Sequence, residues 1–113
     1  METEVQKTCK RRAKVIKALA HVSRLYMVEM LSGHERCVDE LTELVGSDLL
    51  PASMHLHILK NAGIVIGEKR GGAVYYTLRL PSILDFIKCA DLSAAGNEKD
   101  MANRPRIEEE ICE

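Results

Sequence analysis

The spacing of apolar residues changes from helical to extended at Gly63, and that change leaves few folds open. Before it, apolar side chains recur at helical intervals in short runs. After it come two extended runs, Ile64-Val65-Ile66 and Ala73-Val74-Tyr75-Tyr76-Thr77-Leu78, connected through Glu68-Lys69-Arg70 and Gly71-Gly72. β-rich segments joined by Gly-Gly specify a β-hairpin. The chain has 113 residues, 46% hydrophobic and 29% charged, which suits one small domain and is too apolar for a disordered segment. No stretch approaches the roughly 18 consecutive apolar residues of a membrane span. With no Trp and one Phe, the core must be aliphatic and thin, and a dimer would help to stabilise it.

Four helices are expected ahead of the hairpin and one behind it. Residues 7–20 carry a basic stripe (Lys7, Lys10, Lys14, Lys17) and an apolar stripe (Cys9, Ala13, Ile16, Ala20), the mark of an amphipathic helix. A second helix runs from about Ser23, a candidate cap, to Leu31, with Leu25, Val28 and Leu31 apolar and Ser32-Gly33 ending it. Val38, Leu41, Leu44 and Val45 define a short third helix. After the turn Gly46-Ser47-Asp48, a fourth begins near Leu50 with Pro51 in its first turn and stops near Asn61-Ala62-Gly63. Pro81 opens a fifth, whose Ile83, Leu84, Phe86, Ile87 and Ala90 exceed what a thin monomer needs on one helix.

Charge is unevenly spread. Residues 97–113 hold six acids and three bases and read as a loose acidic tail, while residues 1–96 are mildly basic. A formal net charge of −1 therefore excludes no polyanion partner, because local placement sets the field. The N-terminal residues lack the basic-then-apolar layout of a signal peptide, so Cys9, Cys37, Cys89 and Cys112 are expected as thiols in a reducing cytoplasm.

Two short helices joined by a tight turn and followed by a hairpin with a basic tip fit a winged helix-turn-helix. In that fold a helix enters the DNA major groove and a basic hairpin reaches the flanking backbone. At about 100° per residue the fourth helix puts Ala52, Leu56, Leu59 and Gly63 on one side. Leu50, Ser53, Met54, His57 and Asn61 fall on the other, with Lys60 at the margin. The first set suits a core and the second can meet base edges, or simply water.

Three stretches make the chain similar to the ArsR/SmtB family of repressors. Ala18-Leu19-Ala20-His21-Val22-Ser23-Arg24-Leu25 resembles "ALADPTRL", residues 53–65 resemble "SxHLxxLxxAGLV", and residues 70–78 resemble "RxGxxxYYxL". The resemblance implies the order α1-α2-α3-α4-β-β-α5, mostly α with a small hairpin, in a DNA-binding and dimerisation domain over residues 1–96. It implies a homodimer through the first and fifth helices, bound to double-stranded operator DNA and released by an inducer. Leu49 and Leu50 stand where the family is usually polar, which leaves Ser53, Met54 and His57 for bases and Lys60, Lys69 and Arg70 for phosphates.

The same resemblance points to sulfur as the sensing chemistry. Glu35-Arg36-Cys37-Val38-Asp39-Glu40-Leu41 resembles "ELCVCDL" with Asp39 at the second cysteine. A site of Cys37 and Cys9, the latter from the other subunit, with Cys112 or Cys89 as third ligand, implies As(III), Sb(III) or another thiophilic ion as inducer. Each thiol also has a packing explanation, and oxidant or persulfide sensing uses the same residues. No obligatory cofactor is expected.

Histidines are weaker ligands in this pattern. His55 and His57 point to different faces of one helix, with His55 inward, while His21 and His34 read as surface residues. The fifth-helix zinc site of some relatives is missing, because Asp85 is followed by Phe86-Ile87 and no histidine occurs after His57. No phosphate loop or nucleophile–base pair suggests an enzyme. A winged-helix module that contacts proteins without an operator is the remaining alternative.

Overall fold

The computed structural model of the chain describes residues 1–46 and 48–101. Its elements are α1 (Glu4–Leu19), α2 (Val22–Met30), β1 (Arg36–Cys37), α3 (Val38–Val45), α4 (Ala52–Asn61), β2 (Val65–Arg70), β3 (Ala73–Leu78) and α5 (Ile83–Met101). Two compact units make up the chain, Met1–Pro81 and a second that begins at Ser82 and contains α5. No described helix is long and apolar enough to cross a membrane.

Local chemistry sets the helix ends. Thr3 and Gln6 form a reciprocal capping box, with Thr3 Oγ1 accepting from the Gln6 N–H at 3.1 Å and Gln6 Oε1 accepting from the Thr3 N–H at 2.9 Å. The cap of α2 is His21 rather than Ser23: its Nδ1 accepts the Ser23 N–H at 3.1 Å. Imidazole nitrogen thus does the work usually given to a hydroxyl or carboxylate. Pro51 precedes α4 as its N-cap instead of lying inside the first turn, so α4 starts at Ala52. The extended ψ of 154° at Pro51 accounts for that later start.

At its other end α4 stops in a Schellman turn. Ile64 N–H donates to Leu59 O at 3.0 Å and Gly63 N–H to Lys60 O at 2.9 Å. Gly63 has φ +78°, a left-handed backbone that glycine adopts without penalty. Arg79 then fastens the hairpin base to this turn, its Nε donating to Gly63 O at 2.8 Å and its backbone N–H to Ile64 O at 2.9 Å.

The hairpin is as expected, with β2 and β3 antiparallel from Val65↔Leu78 to Arg70↔Ala73. β1 was not foreseen. This two-residue strand pairs with the free edge of β3 through Arg36↔Tyr76 and Cys37↔Tyr75, giving the order β1-β3-β2. It covers an edge that would otherwise offer unpaired backbone groups. Gly67 is dictated by its partner, since a Cβ there would lie 2.9 Å from Tyr76 Cε1.

In the first unit the core comprises Ala18, Leu19, Met27, Val28, Leu31, Leu41, Ala52, His55, Leu56, Leu59, Ile64 and Val65. The inward side of α4 therefore holds Ala52, Leu56 and Leu59, as the spacing predicts. On α1 the buried residues are Ala18 and Leu19, whereas Cys9, Ala13, Ile16 and Ala20 are all exposed. The apolar stripe of α1 is thus not a core face of its own unit. In the second unit α5 starts at Ile83, with Ser82 O accepting from the Asp85 N–H at 3.0 Å, and continues past the expected boundary at residue 96 to Met101.

Leu56→Ala should lower stability by about 2–5 kcal/mol, because a fully buried leucine at a helix–helix contact leaves a cavity. That is a large share of the roughly 5–15 kcal/mol typical of small domains, and urea unfolding should show the midpoint falling with little change in slope.

Candidate nucleic-acid interface

The outward face of α4 presents Ser53, Met54, His57, Lys60 and Asn61, all exposed, with Met54 at 48%. Asn61 Nδ2 and His57 Nε2 are 3.1 Å apart, so two polar groups one turn apart share a hydrogen bond at the surface. Leu49 is fully exposed and Leu50 half-buried ahead of the helix.

What holds this face in place is a polar cluster beneath it. His55 projects inward from α4 and is fully buried. Its Nδ1 faces Arg24 Nη1 at 3.2 Å and its Nε2 faces Asp48 Oδ2 at 2.9 Å. A guanidinium can only donate, so Nδ1 accepts and Nε2 carries the hydrogen given to Asp48. Arg24 Nε also donates to Ala18 O at 2.6 Å, and Ser23 Oγ donates to Asp48. The chain of bonds ties the end of α1, the start of α2, the loop before α4 and α4 itself. No buried side-chain N or O among the described residues lacks a partner.

Asp48 is held well below the usual carboxylate range, first by the Ser23 hydroxyl, then by His55 and by the Leu50 and Leu49 N–H groups, against the opposing effect of burial. His21 lies half-buried over His55, ring centroids 4.6 Å apart at 55°, and so is not the surface residue its position suggested. His34 is exposed, as expected.

Among the described residues, His21, Asp48 and His55 form the one group of three donors near enough to share a metal ion, within 4.8 Å of one another. The hydrogen bonds read against that use. The His55 nitrogen nearest Asp48 bears the hydrogen, and Arg24 occupies the other. The cluster acts as a positioning clamp.

At the wing, Gly71 turns with φ +61° and Lys69 is exposed. Arg70 makes a two-pronged contact with Glu35, both N···O distances 2.7 Å, and a third bond to Glu68 at 2.9 Å. Its guanidinium also lies 4.8 Å from the centre of the Tyr75 ring. These hydrogen bonds, Glu35 first, raise Arg70 above its ordinary range, and the bonds from Arg70 lower Glu35.

The described thiols sit on three different helices or helix ends. Cys9 is exposed on α1, and Cys37 is half-buried as N-cap of α3, beside a shallow groove lined by Asp39, Glu40, Thr42 and Glu43. Cys89 is exposed on α5, and Cys112 falls outside the described residues. Among the described residues no three-donor group containing a cysteine closes within one chain. The clamp escaped sequence reasoning, although an aspartate just ahead of a helix is a recognised cap signal. The Glu35–Arg70 contact, bridging 35 positions, had no signal at all.

Residues 21–66 match the family described as "Bacterial regulatory protein, arsR family". An HTH-type transcriptional regulator of Mycobacterium tuberculosis, Rv0081, is 33% identical over 82 residues, covering 72% of each chain. Its crystal structure superposes with a TM-score of 0.70 over 89% of this chain and 99% of that one, at 28% identity. A cadmium resistance transcriptional regulatory protein CadC homolog of Staphylococcus aureus is 42% identical over 67 residues, 58% of this chain and 55% of that protein. A homodimeric winged helix-turn-helix DNA-binding domain from Mycobacterium bovis shares the fold, with a TM-score of 0.72, 23% identity and coverage of 96% and 97%.

The depressed Asp48 carboxyl has a pH signature. A group whose folded-state pKa is lowered adds stability that is present above its unfolded value, about 3.9, and is lost as pH falls below it. Asp48→Asn should therefore melt below wild type at neutral pH, with the two melting temperatures converging below about pH 4. A gap that persists unchanged into acid would contradict the charge-based account.

Proposed function

The chain belongs to the arsR family of bacterial regulatory proteins, a family of regulators and not of enzymes, and we propose that it is a homodimeric repressor that grips operator DNA and lets go when a thiophilic ion binds its cysteines. One observation carries the DNA reading: α4 turns Ser53, Met54 and His57 outward from a unit whose hairpin, fastened by Arg79, projects Lys69 at its tip. Ser53, Met54 and His57 then read base edges in the major groove, and Lys60 and Lys69 neutralise phosphates. Arg70 shares that tip with its charge held by Glu35 and Glu68.

Two copies are needed because one α4 spans a single half-site. The exposed stripe Cys9, Ala13 and Ile16 on α1 and the exposed Phe86 and Leu92 on α5 are the apolar surface for that association. Cys37 and Cys9, with Cys89 or Cys112, supply the sulfur ligands, and the cysteines of two subunits together make up the set. As(III) or Sb(III) is the first choice, and the likeness to a cadmium-resistance regulator supports a thiophilic ion in general. A coupling of about 1–3 kcal/mol between ion and operator would change affinity about 5–150-fold, enough for a switch.

Fluorescence anisotropy on the chain's own upstream DNA tests this reading. Binding should be specific and steeply salt-dependent, with His57→Ala costing about 1–3 kcal/mol on the specific site. Lys69→Gln should weaken all sequences alike and reduce the salt slope by about 0.9. Arsenite, antimonite or cadmium should release the complex, and Cys37→Ser or Cys9→Ser should abolish release. Release by polysulfide alone would replace the ion with thiol oxidation, and failure to bind any upstream fragment would remove the repressor reading.

A further inference from the structure

The basic hairpin tip is not basic on balance. Lys69 and Arg70 are its cations, and Glu68 and Glu35 lie beside them. Surface ion pairs contribute little in general, but a two-pronged arginine–carboxylate contact within a network is the exception. Arg70 has such a network: two oxygens of Glu35 at 2.7 Å, Glu68 at 2.9 Å and the Tyr75 ring beneath.

The sheet register explains why these groups meet. Glu68 and Tyr75 are partners across β2 and β3, and Cys37 and Tyr75 across β1 and β3. Side chains two apart share a face, so Arg70 joins Glu68, and Glu35 extends the face from Cys37. Glu35 comes just before the strand that sequence reasoning missed, and β1 is what brings its carboxylate to the wing.

A carboxylate gripping both prongs of a guanidinium makes the contact that a DNA phosphate would make. We infer that Glu35 is an internal phosphate substitute that keeps Arg70 off the DNA backbone and so sets the strength of operator binding. The inference rests on the operator reading above. Wild-type protein binds through Lys69 at the tip, and Arg70 adds a further contact only when the Glu35 charge is removed. Both partners are about two-fifths exposed, so the exchange requires no unfolding.

The test compares wild type, E35Q, R70Q and E35Q/R70Q by anisotropy on operator DNA across a salt series, with thermal melts as the check on folding. E35Q should bind about three- to tenfold tighter, with a log–log salt slope steeper by about 0.9, the value of one added phosphate contact. R70Q should leave the wild-type slope unchanged yet cancel the whole gain in the E35Q background. An E35Q slope equal to or shallower than wild type, or a shallower slope for R70Q alone, overturns the inference. Elution from heparin–agarose needs no operator and separates the two ideas. Later elution of E35Q, reversed in E35Q/R70Q, upholds the Glu35 grip even if no promoter binds and only the operator reading fails. Co-elution of E35Q with wild type overturns it whatever the DNA result.

Discussion

A buried imidazole between a guanidinium and a carboxylate sets the stance of α4. His55 is fully buried, so each of its ring nitrogens needs a partner, and the partners come from different segments: Arg24 from α2 and Asp48 from the preceding loop. Leaving a buried polar group unpaired costs about 1–3 kcal/mol, comparable with losing a methyl-sized piece of core. Leucines alone would hold α4 at the right depth. The hydrogen bonds add direction, because they are satisfied at one rotation of the helix, and that rotation turns Ser53, Met54 and His57 outward. The polar cluster thus shapes the exposed face although no member of it belongs to that face.

Charge is distributed on a similar principle. Of the cations expected on the outer surface, Lys60 and Lys69 are exposed on α4 and at the hairpin tip, whereas Arg70 is engaged by carboxylates from two directions. A chain of net charge −1 cannot attract DNA by bulk charge and must rely on where its bases stand. Sequence-independent affinity for DNA comes mainly from phosphate contacts, so a carboxylate that occupies a cation subtracts from it.

Much of the fold was legible because it rests on periodicity. Ala52, Leu56 and Leu59 repeat at helical spacing and are buried, and the Gly-Gly hairpin stands at its expected place. The same spacing turns His55 inward, where it is fully buried. The misses have separate physical causes. His21 caps α2 through a ring nitrogen, which propensities assign to Ser or Asp. Pro51 terminates the loop instead of opening the helix, a difference of one residue at an end that is inherently soft. β1 is too short to show alternation, and Glu35 finds Arg70 only after the sheet has assembled. The apolar stripe of α1 is legible as a stripe but not as an exposed one, since hydropathy alone does not tell a core face from an exposed apolar face.

The tight turn at Gly63, with Arg79 bonded across it, joins the end of α4 directly to the root of the hairpin. Helix and wing therefore behave as the two jaws of a fixed-gap caliper. Side chains on either jaw can be exchanged, while the interval between the two is inherited from the backbone.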